Sequence, residues 1–188
     1  NAHYIKQADN ARLATLVAQA TSAFENLESA LAEAGMNFSN VARTWLYMDH
    51  VLDWYPDLNK ARYAFFRSRH VYDGVVPAST GIGSANQLGT AIATCAIAFR
   101  AKEPGSLRLT ALPSPLQCPA LDYGSSFSRA VELAAPDCRR VFVSGTASIR
   151  PDSHEVAFVG DIDAQIECTM RAVEAILESR GMALRDVT

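Results

Sequence analysis

Residues 140–187 read RVFVSGTASIRPDSHEVAFVGDIDAQIECTMRAVEAILESRGMALRDV, and the order of signals in this stretch decides the fold class. Val141, Phe142 and Val143 are β-branched or aromatic and run into Ser144-Gly145. They predict a strand that ends where the backbone must come close to something, and Gly145 is read as letting a ligand approach main-chain groups there. Pro151-Asp152-Ser153 is turn chemistry, and residues 156–159 read as a second short strand, so the two are expected to pair as a hairpin with a long loop. Gly160-Asp161 closes that strand and offers Asp161 as a helix N-cap. Ile162, Ile166, Met170, Val173 and Ile176 or Leu177 then recur at helical spacing until Gly181 stops the run. The unit is strand, strand, amphipathic helix.

Upstream the same alternation of elements continues. Residues 10–34 carry Leu13, Leu16, Val17, Ala20, Phe24, Leu27, Leu31 and Ala34 on one helical face, and Gly35 ends the pattern. Residues 41–50 read as a strand centred on Trp45, Leu46, Tyr47 and Met48. Both alternating faces of it are apolar, so helices are expected on one side and a partner on the other. Residues 57–69 form a second helix with Leu58, Ala61, Arg62, Phe65 and Phe66 on its buried side. Val75-Val76-Pro77 opens the next strand and residues 91–99 form a last, buried one. Gly81-Ile82-Gly83 lacks the following helix of a dinucleotide fingerprint, so these glycines are read as permitting a bulge or a close backbone approach. Residues 102–120, with Pro104, Gly105, Pro113, Pro115 and Pro119, read as an irregular connector and a domain boundary. Helices interleaved with two-sided apolar strands predict an α+β fold, a mixed sheet with two helices on one face.

Composition narrows the function classes. Of 188 residues 49% are hydrophobic, enough for a substantial core. A formal net charge of -3 offers no general attraction to nucleic acid or anionic membrane, so neither is expected as a partner. Cys95, Cys118, Cys138 and Cys168 form no CxxC and read as reduced thiols. No apolar run is long enough for a membrane span, and no signal-like segment opens the sequence, so a cytoplasmic location is expected. There is no initiator Met, and the sequence stops at Val187-Thr188 where a further strand would follow, so it reads as part of a longer protein.

The order SGTAS, turn, Gly160-Asp161, Gln165, helix, Gly181 and Leu184-Arg185-Asp186-Val187 resembles the opening half of the Rid (YjgF) family. Asn59, Tyr63, Phe65 and Phe66, following the strand at residues 41–50, match the same pattern in its later half. The resemblance implies a chorismate-mutase-like fold, trimers, and small-molecule pockets between subunits. Two partial repeats in tandem would then divide the chain into residues 1–101, a connector at 102–120, and residues 121–188. A degenerate first half, the connector and Ser126-Phe127-Ser128-Arg129-Ala130 before Val143-Ser144-Gly145-Thr146-Ala147-Ser148 resemble the chorismatase group, chorismate-hydrolysing enzymes that join two such halves.

Carried over residue by residue, the resemblance has gaps. In Rid deaminases the pocket uses a Tyr before the first strand, the Gly of the SG turn, an Arg after Pro-Ala, and a Glu in the last strand. Here Phe127 holds the Tyr position, Ser144-Gly145 match the turn, Ser79 follows Pro77-Ala78, and Ala93, Thr94 and Cys95 stand where the acid belongs. The equivalent Arg and Glu of the second half would lie past Thr188. The expected substrate site is Tyr123, Ser126, Phe127, Arg129, Ser144, Gly145 and Thr146, with Arg129 and the hydroxyls suited to a carboxylate. By local chemistry alone, Tyr123 and Phe127 read first as packing residues and Arg129 as a solvated strand-edge charge. The strand around Arg129 and the strand ending at Gly145 are expected as hairpin neighbours. Alternation puts Phe127 and Arg129 on one face and Ser126 and Ser128 on the other, so a buried Phe127 would draw Arg129 inward.

Other chemistries find less support. His3, His50, His70 and His154 show no i,i+4 pairing or cysteine partner, and Asp49, His50 and Asp53 sit where solvated polar residues are expected, so no metal or other cofactor is predicted. Ser144 lies in SGT and not in a G-x-S-x-G elbow. The acidic balance gives no help to the endoribonuclease activity attached to some Rid relatives. Two classes stay open. One is an enzyme acting on a carboxylate-bearing metabolite such as chorismate by acid-assisted cleavage. The other is a non-catalytic trimeric ligand-binding or regulatory protein, with imine or enamine deamination as a further variant.

Overall fold

The computed structural model describes residues 2–153 and 155–188, with side chains from residue 12 onward. The His3 side chain and His154 lie outside the described residues. Helix α1 (Ala2–Glu33) is followed by β1 (Val41–Met48), α2 (Val51–Ser68), β2 (Ala78–Gly83) and β3 (Ile92–Ala98). Then come β4 (Arg108–Leu112), β5 (Ala130–Ala134), β6 (Arg139–Val143) and α3 (Ile162–Glu178). One sheet has the order β2-β1-β3, with β1 parallel to β2 and antiparallel to β3. The second, β4-β5-β6, is antiparallel throughout. The fold is α+β, with a mixed sheet carrying two helices on one face.

The first sheet holds the main core. Ala20, Phe24 and Leu31 of α1 meet Trp54, Leu58, Phe65 and Phe66 of α2 above Leu46, Met48 and Ile92. Phe24 stacks on Phe65 with ring centroids 5.5 Å apart and meets Phe66 edge-on at 6.0 Å. Gly35 (φ 66°) ends the α1 segment as expected, but Ala34 falls past the helix and is exposed. Along β1, Leu46 and Met48 are buried beneath the helices, while Trp45 and Tyr47 are only half-buried on the opposite face. That face is not wholly apolar, because the Arg43 guanidinium lies 4.5 Å from the Trp45 ring centroid.

Helix α2 begins at Val51 and not at residue 57. Pro56 reads as a barrier in the sequence, yet it sits in the second turn, where its missing N–H leaves only the Leu52 carbonyl without an intrahelical partner. Leu52 is 90% exposed, so water can serve that group. The glycines of β2 permit close packing as expected: a Cβ at Gly81 would stand 2.9 Å from the Met48 methyl, and one at Gly83 3.1 Å from Val51.

The second sheet corrects the sequence reading in two places. β6 pairs with β5 and not with residues 156–159. Val156 makes only an isolated bridge to Ile149, Phe158 has φ 56°, and Val156, Phe158 and Val159 are 55%, 55% and 82% exposed. Apolar composition there was mistaken for pairing; the positive φ at Phe158 breaks the extended run. The supposedly irregular connector also contains β4, whose Leu109 joins Ala42, Ala78 and Val131 in a small core. The strand expected around Arg129 as hairpin neighbour of the strand ending at Gly145 is present as β5, and the buried carboxylate of Glu132 within it pairs with Arg180 and lies 3.8 Å from Arg139. α3 covers this sheet through Ile176, packed on Leu112 and Ala130. The Asp161 carboxylate caps it by accepting from the Ala164 N–H at 3.0 Å, as the sequence implied.

Main-chain bonds stitch the sheets together at one point. Ala78 bridges Ser128 in parallel, the Ser128 N–H donates to the Pro77 carbonyl at 3.0 Å, and the Gly145 N–H donates to the Ser79 carbonyl at 3.1 Å. The Ser144 hydroxyl donates to the Ser128 carbonyl at 2.5 Å and accepts from the Ser79 N–H at 2.9 Å. The SGT turn is therefore wedged between β2 and the entry to β5.

Candidate functional site

A cleft of about 420 Å³ opens beside this wedge. Leu46, Met48, Val51 and Phe127 form its apolar wall, Tyr55, Arg62, Ser79 and Thr80 its polar wall, and Gly145, Thr146 and Ala147 its rim. Tyr55 also borders a neighbouring hollow of about 460 Å³ that includes Asn59, Tyr63 and Tyr123. Both hollows use the early start of α2, which brings Tyr55 onto the same helix as Asn59 and Arg62.

The expected site residues gather here in different roles. Phe127, Gly145 and Thr146 line the cleft, and Tyr123 lines its neighbour. Ser126 is buried and shares a 2.6 Å hydrogen bond with the Tyr72 hydroxyl. Ser144 is buried and its hydroxyl is committed to the sheet junction. The Thr146 hydroxyl donates to the Ser144 carbonyl at 2.9 Å.

Gly145 serves a purpose other than the one its sequence context suggested. A Cβ there would come within 3.0 Å of Thr80 Cγ2, so the missing side chain makes room for β2 and not for a ligand. Its N–H is also taken, by Ser79. Arg129 follows Phe127 inward, as alternation required, and is 6% exposed. Its Nε and Nη2 both donate to the Cys118 carbonyl, at 2.9 and 2.7 Å. Its guanidinium lies 5.4 Å from the Tyr123 ring centroid and 5.6 Å from that of Phe127.

The residue that sequence reasoning undervalued is Arg62. It is 3% exposed, donates from Nη2 to Asn59 Oδ1 at 2.7 Å, and lies 5.9 Å from the Phe127 ring centroid. Burial pushes its pKa down from the ordinary arginine value, with the Tyr55 hydroxyl the first of several partial offsets. Its Nε has no hydrogen-bond partner. Among the described ion pairs, none involves Arg62 or Arg129. Two buried guanidiniums thus approach Phe127 without a carboxylate. The signal was present in the sequence: a cation on the buried stripe between Leu58 and Phe65 is costly unless something compensates it. Burial also pushes the Tyr72 and Tyr123 hydroxyls upward, so both stay neutral donors near neutral pH.

Elsewhere the polar clusters disperse. His50 Nε2 lies 3.7 Å from Asp49, while Asp53 turns to Arg12 at 3.8 Å; among the described residues no group of His, Cys, Asp and Glu is arranged to hold a metal. Cys95, Cys118, Cys138 and Cys168 are all free thiols. Among the described residues no helix is long and apolar enough to cross a membrane.

No protein-family model matches the chain, and no curated protein matches it by sequence. Among solved structures, the crystal structure of a chorismatase superposes with a TM-score of 0.66 at 23% identity, covering 85% of this chain and 49% of that one. The chain therefore spans about half the length of that protein, and the two share a fold.

Proposed function

We propose that this chain supplies the binding cleft of a chorismatase-like hydrolase that acts on a small carboxylate-bearing metabolite, with chorismate the first candidate. The observation that carries the reading is the pair of buried guanidiniums, Arg62 and Arg129, which approach Phe127 beside an open cleft with no carboxylate to neutralise them. An anionic ligand would offset their desolvation. The shared chorismatase fold supports the choice of substrate class. In this reading the chain is built of Rid-type halves, residues 1–101 and 121–188, joined through 102–120, and the cleft lies where they meet.

The residues present bind and orient; among the described residues the cleft wall offers no acid. Glu132, the one buried carboxylate among the described residues, is committed to Arg139 and Arg180. Hydrolysis of an enol ether such as chorismate needs a proton delivered to the leaving oxygen, so the catalytic acid belongs to another part of the protein. Deamination in the first half is disfavoured on residues: Ser79 and the Ala93-Thr94-Cys95 segment hold the places where that chemistry needs Arg and Glu.

The absence of an acid from the described cleft wall also favours a second reading, a ligand-binding protein without catalysis. Calorimetry with chorismate and a pyruvate-release assay on the full-length protein separate the two. Binding with turnover supports the enzyme, binding without turnover the second reading, and no binding defeats both. We further propose that the half-buried Trp45 and Tyr47 face is covered by other copies in a trimer. Sedimentation as a monomer at micromolar concentration would overturn that.

A further inference from the structure

We propose that Arg62 is the carboxylate anchor of the cleft, that Arg129 only positions its wall, and that the cleft grips a single carboxylate carried on a small ring. The inference rests on reading the cleft as a metabolite pocket and adds which atom binds and what it selects. Arg62 lines the cleft and Arg129 does not. The Arg129 fork is closed, since Nε and Nη2 converge on the Cys118 carbonyl. Arg62 keeps one unpartnered donor, Nε, while Nη2 is held by Asn59 and the Tyr55 hydroxyl is a further hydrogen-bonding neighbour.

An orphaned buried N–H demands an explanation. Arg62 lines the open cavity, but its Nε has no exposed surface, so a ligand reaches that donor only as the wall gives beside it. A guanidinium edge made of Nε–H and one terminal N–H fits the two oxygens of a carboxylate. Asn59 anchors Nη2 from the side chain three residues earlier, which fixes the plane of the fork before any ligand arrives. Burial lowers the Arg62 pKa, the direction expected of a cation whose counter-charge is missing.

The rest of the cleft sets the ligand class. At about 420 Å³ it falls near the small end of the roughly 300–1,000 Å³ typical of ligand pockets. Leu46, Met48, Val51 and Phe127 offer an apolar wall for a ring, and Phe127 adds a face for stacking. Among the described residues no second cation lines the cleft, so a second carboxylate gains nothing there.

The test is calorimetry on the protein with benzoate, benzamide and isophthalate, with circular dichroism to check each variant's fold. Benzoate should bind at least about tenfold tighter than its neutral isostere benzamide, the scale of one charge-assisted hydrogen bond. Isophthalate should bind no tighter than benzoate. Arg62→Lys keeps the charge but loses the fork and should weaken benzoate about tenfold; Arg62→Gln should also erase the preference over benzamide. Arg129→Gln should weaken benzoate and benzamide by the same factor, as expected of a residue that shapes the wall. The exposed control Arg69→Gln should change neither.

Carboxylate binding that ignores Arg62→Lys, or a benzoate preference lost in Arg129→Gln instead, overturns the anchor while leaving the metabolite pocket standing. Isophthalate binding tenfold tighter than benzoate overturns the single-carboxylate claim. Failure of the wild type to bind any carboxylate defeats the pocket reading and the anchor together. If Arg62→Gln does not fold, Asn59→Ala takes its place: it should weaken benzoate by about threefold, the low end for one lost hydrogen bond. No change in both Asn59→Ala and Arg62→Lys again overturns the anchor.

Discussion

α2 and α3 have sequences of the same amphipathic kind and end in different surroundings. α2 buries Trp54, Leu58, Ala61, Phe65 and Phe66, and draws Arg62 in with them. α3 buries Ala172, Ile176 and Leu177, while Ile162, Ile166 and Met170 stay 66%, 55% and 45% exposed along a second apolar stripe. Ile162, Ile166 and Met170 open the helical repeat read in this stretch of the sequence. Periodicity reports that a face is apolar; what covers it depends on the layers that assemble around it. The functional residue followed the opposite logic, since the position that matters most breaks the pattern of its own stripe.

The largest expected effect breaks the comparison directly. Phe24→Ala removes a ring with no exposed surface that packs on Phe65 and Phe66, and should cost about 3–5 kcal/mol in urea unfolding. Ile166→Ala on the exposed stripe should stay within about 0.5 kcal/mol of wild type. A large loss at Ile166 would show that the stripe is covered in solution, and would place α3 on the same footing as α2.

How much of this was legible in the sequence follows from the same physics. The buried face of α2 was read correctly because five of its residues repeat at helical spacing, and the Asp161 cap because its side chain acts locally. β4 was not seen, since a five-residue strand that opens on an arginine in a proline-bearing segment carries little period-two signal. Its partner β5 lies well along the chain, whereas β5 and β6 form a local hairpin closed at Ala134 and Arg139. Phe127 and Arg129 were placed on one face by alternation, and they do lie together. What alternation could not reveal is that the Cys118 carbonyl closes the Arg129 fork, a contact fixed by the loop before it. Arg62 lay in view on the buried stripe, and only its missing counter-charge marks it as functional.

A smaller effect sharpens the contrast at the sheet junction. Gly145→Ala places a methyl about 3.0 Å from Thr80 Cγ2, tighter than ordinary contact, and should cost on the order of 1–3 kcal/mol as overpacking. Thr80→Ser removes that methyl and should recover part of the loss in the double variant, a coupling readable from denaturation midpoints. Purely additive losses would mean that the turn yields elsewhere, and the tight wedge between β2 and the entry to β5 would have to be abandoned.

The smallest effect concerns the tyrosines around the two guanidiniums. Burial raises the Tyr72 and Tyr123 pKa values, in each case outweighing the opposing effects of neighbouring hydrogen bonds and arginine charge. A tyrosine whose pKa is higher in the folded state keeps its proton after the unfolded chain has begun to lose it. Its contribution to stability is complete below the unfolded value of about 10 and is lost as pH rises through the folded value. Thermal unfolding of the wild type should therefore weaken progressively above about pH 10, and Tyr72→Phe or Tyr123→Phe should flatten part of that slope. The Phe variants separate two roles for these rings. If the slope flattens while benzoate binding holds, the hydroxyls tune the surroundings of Arg62 and Arg129 without touching ligand. If binding falls with the slope unchanged, the hydroxyls donate to the ligand, and burial contributes less to their titration than the packed rings imply.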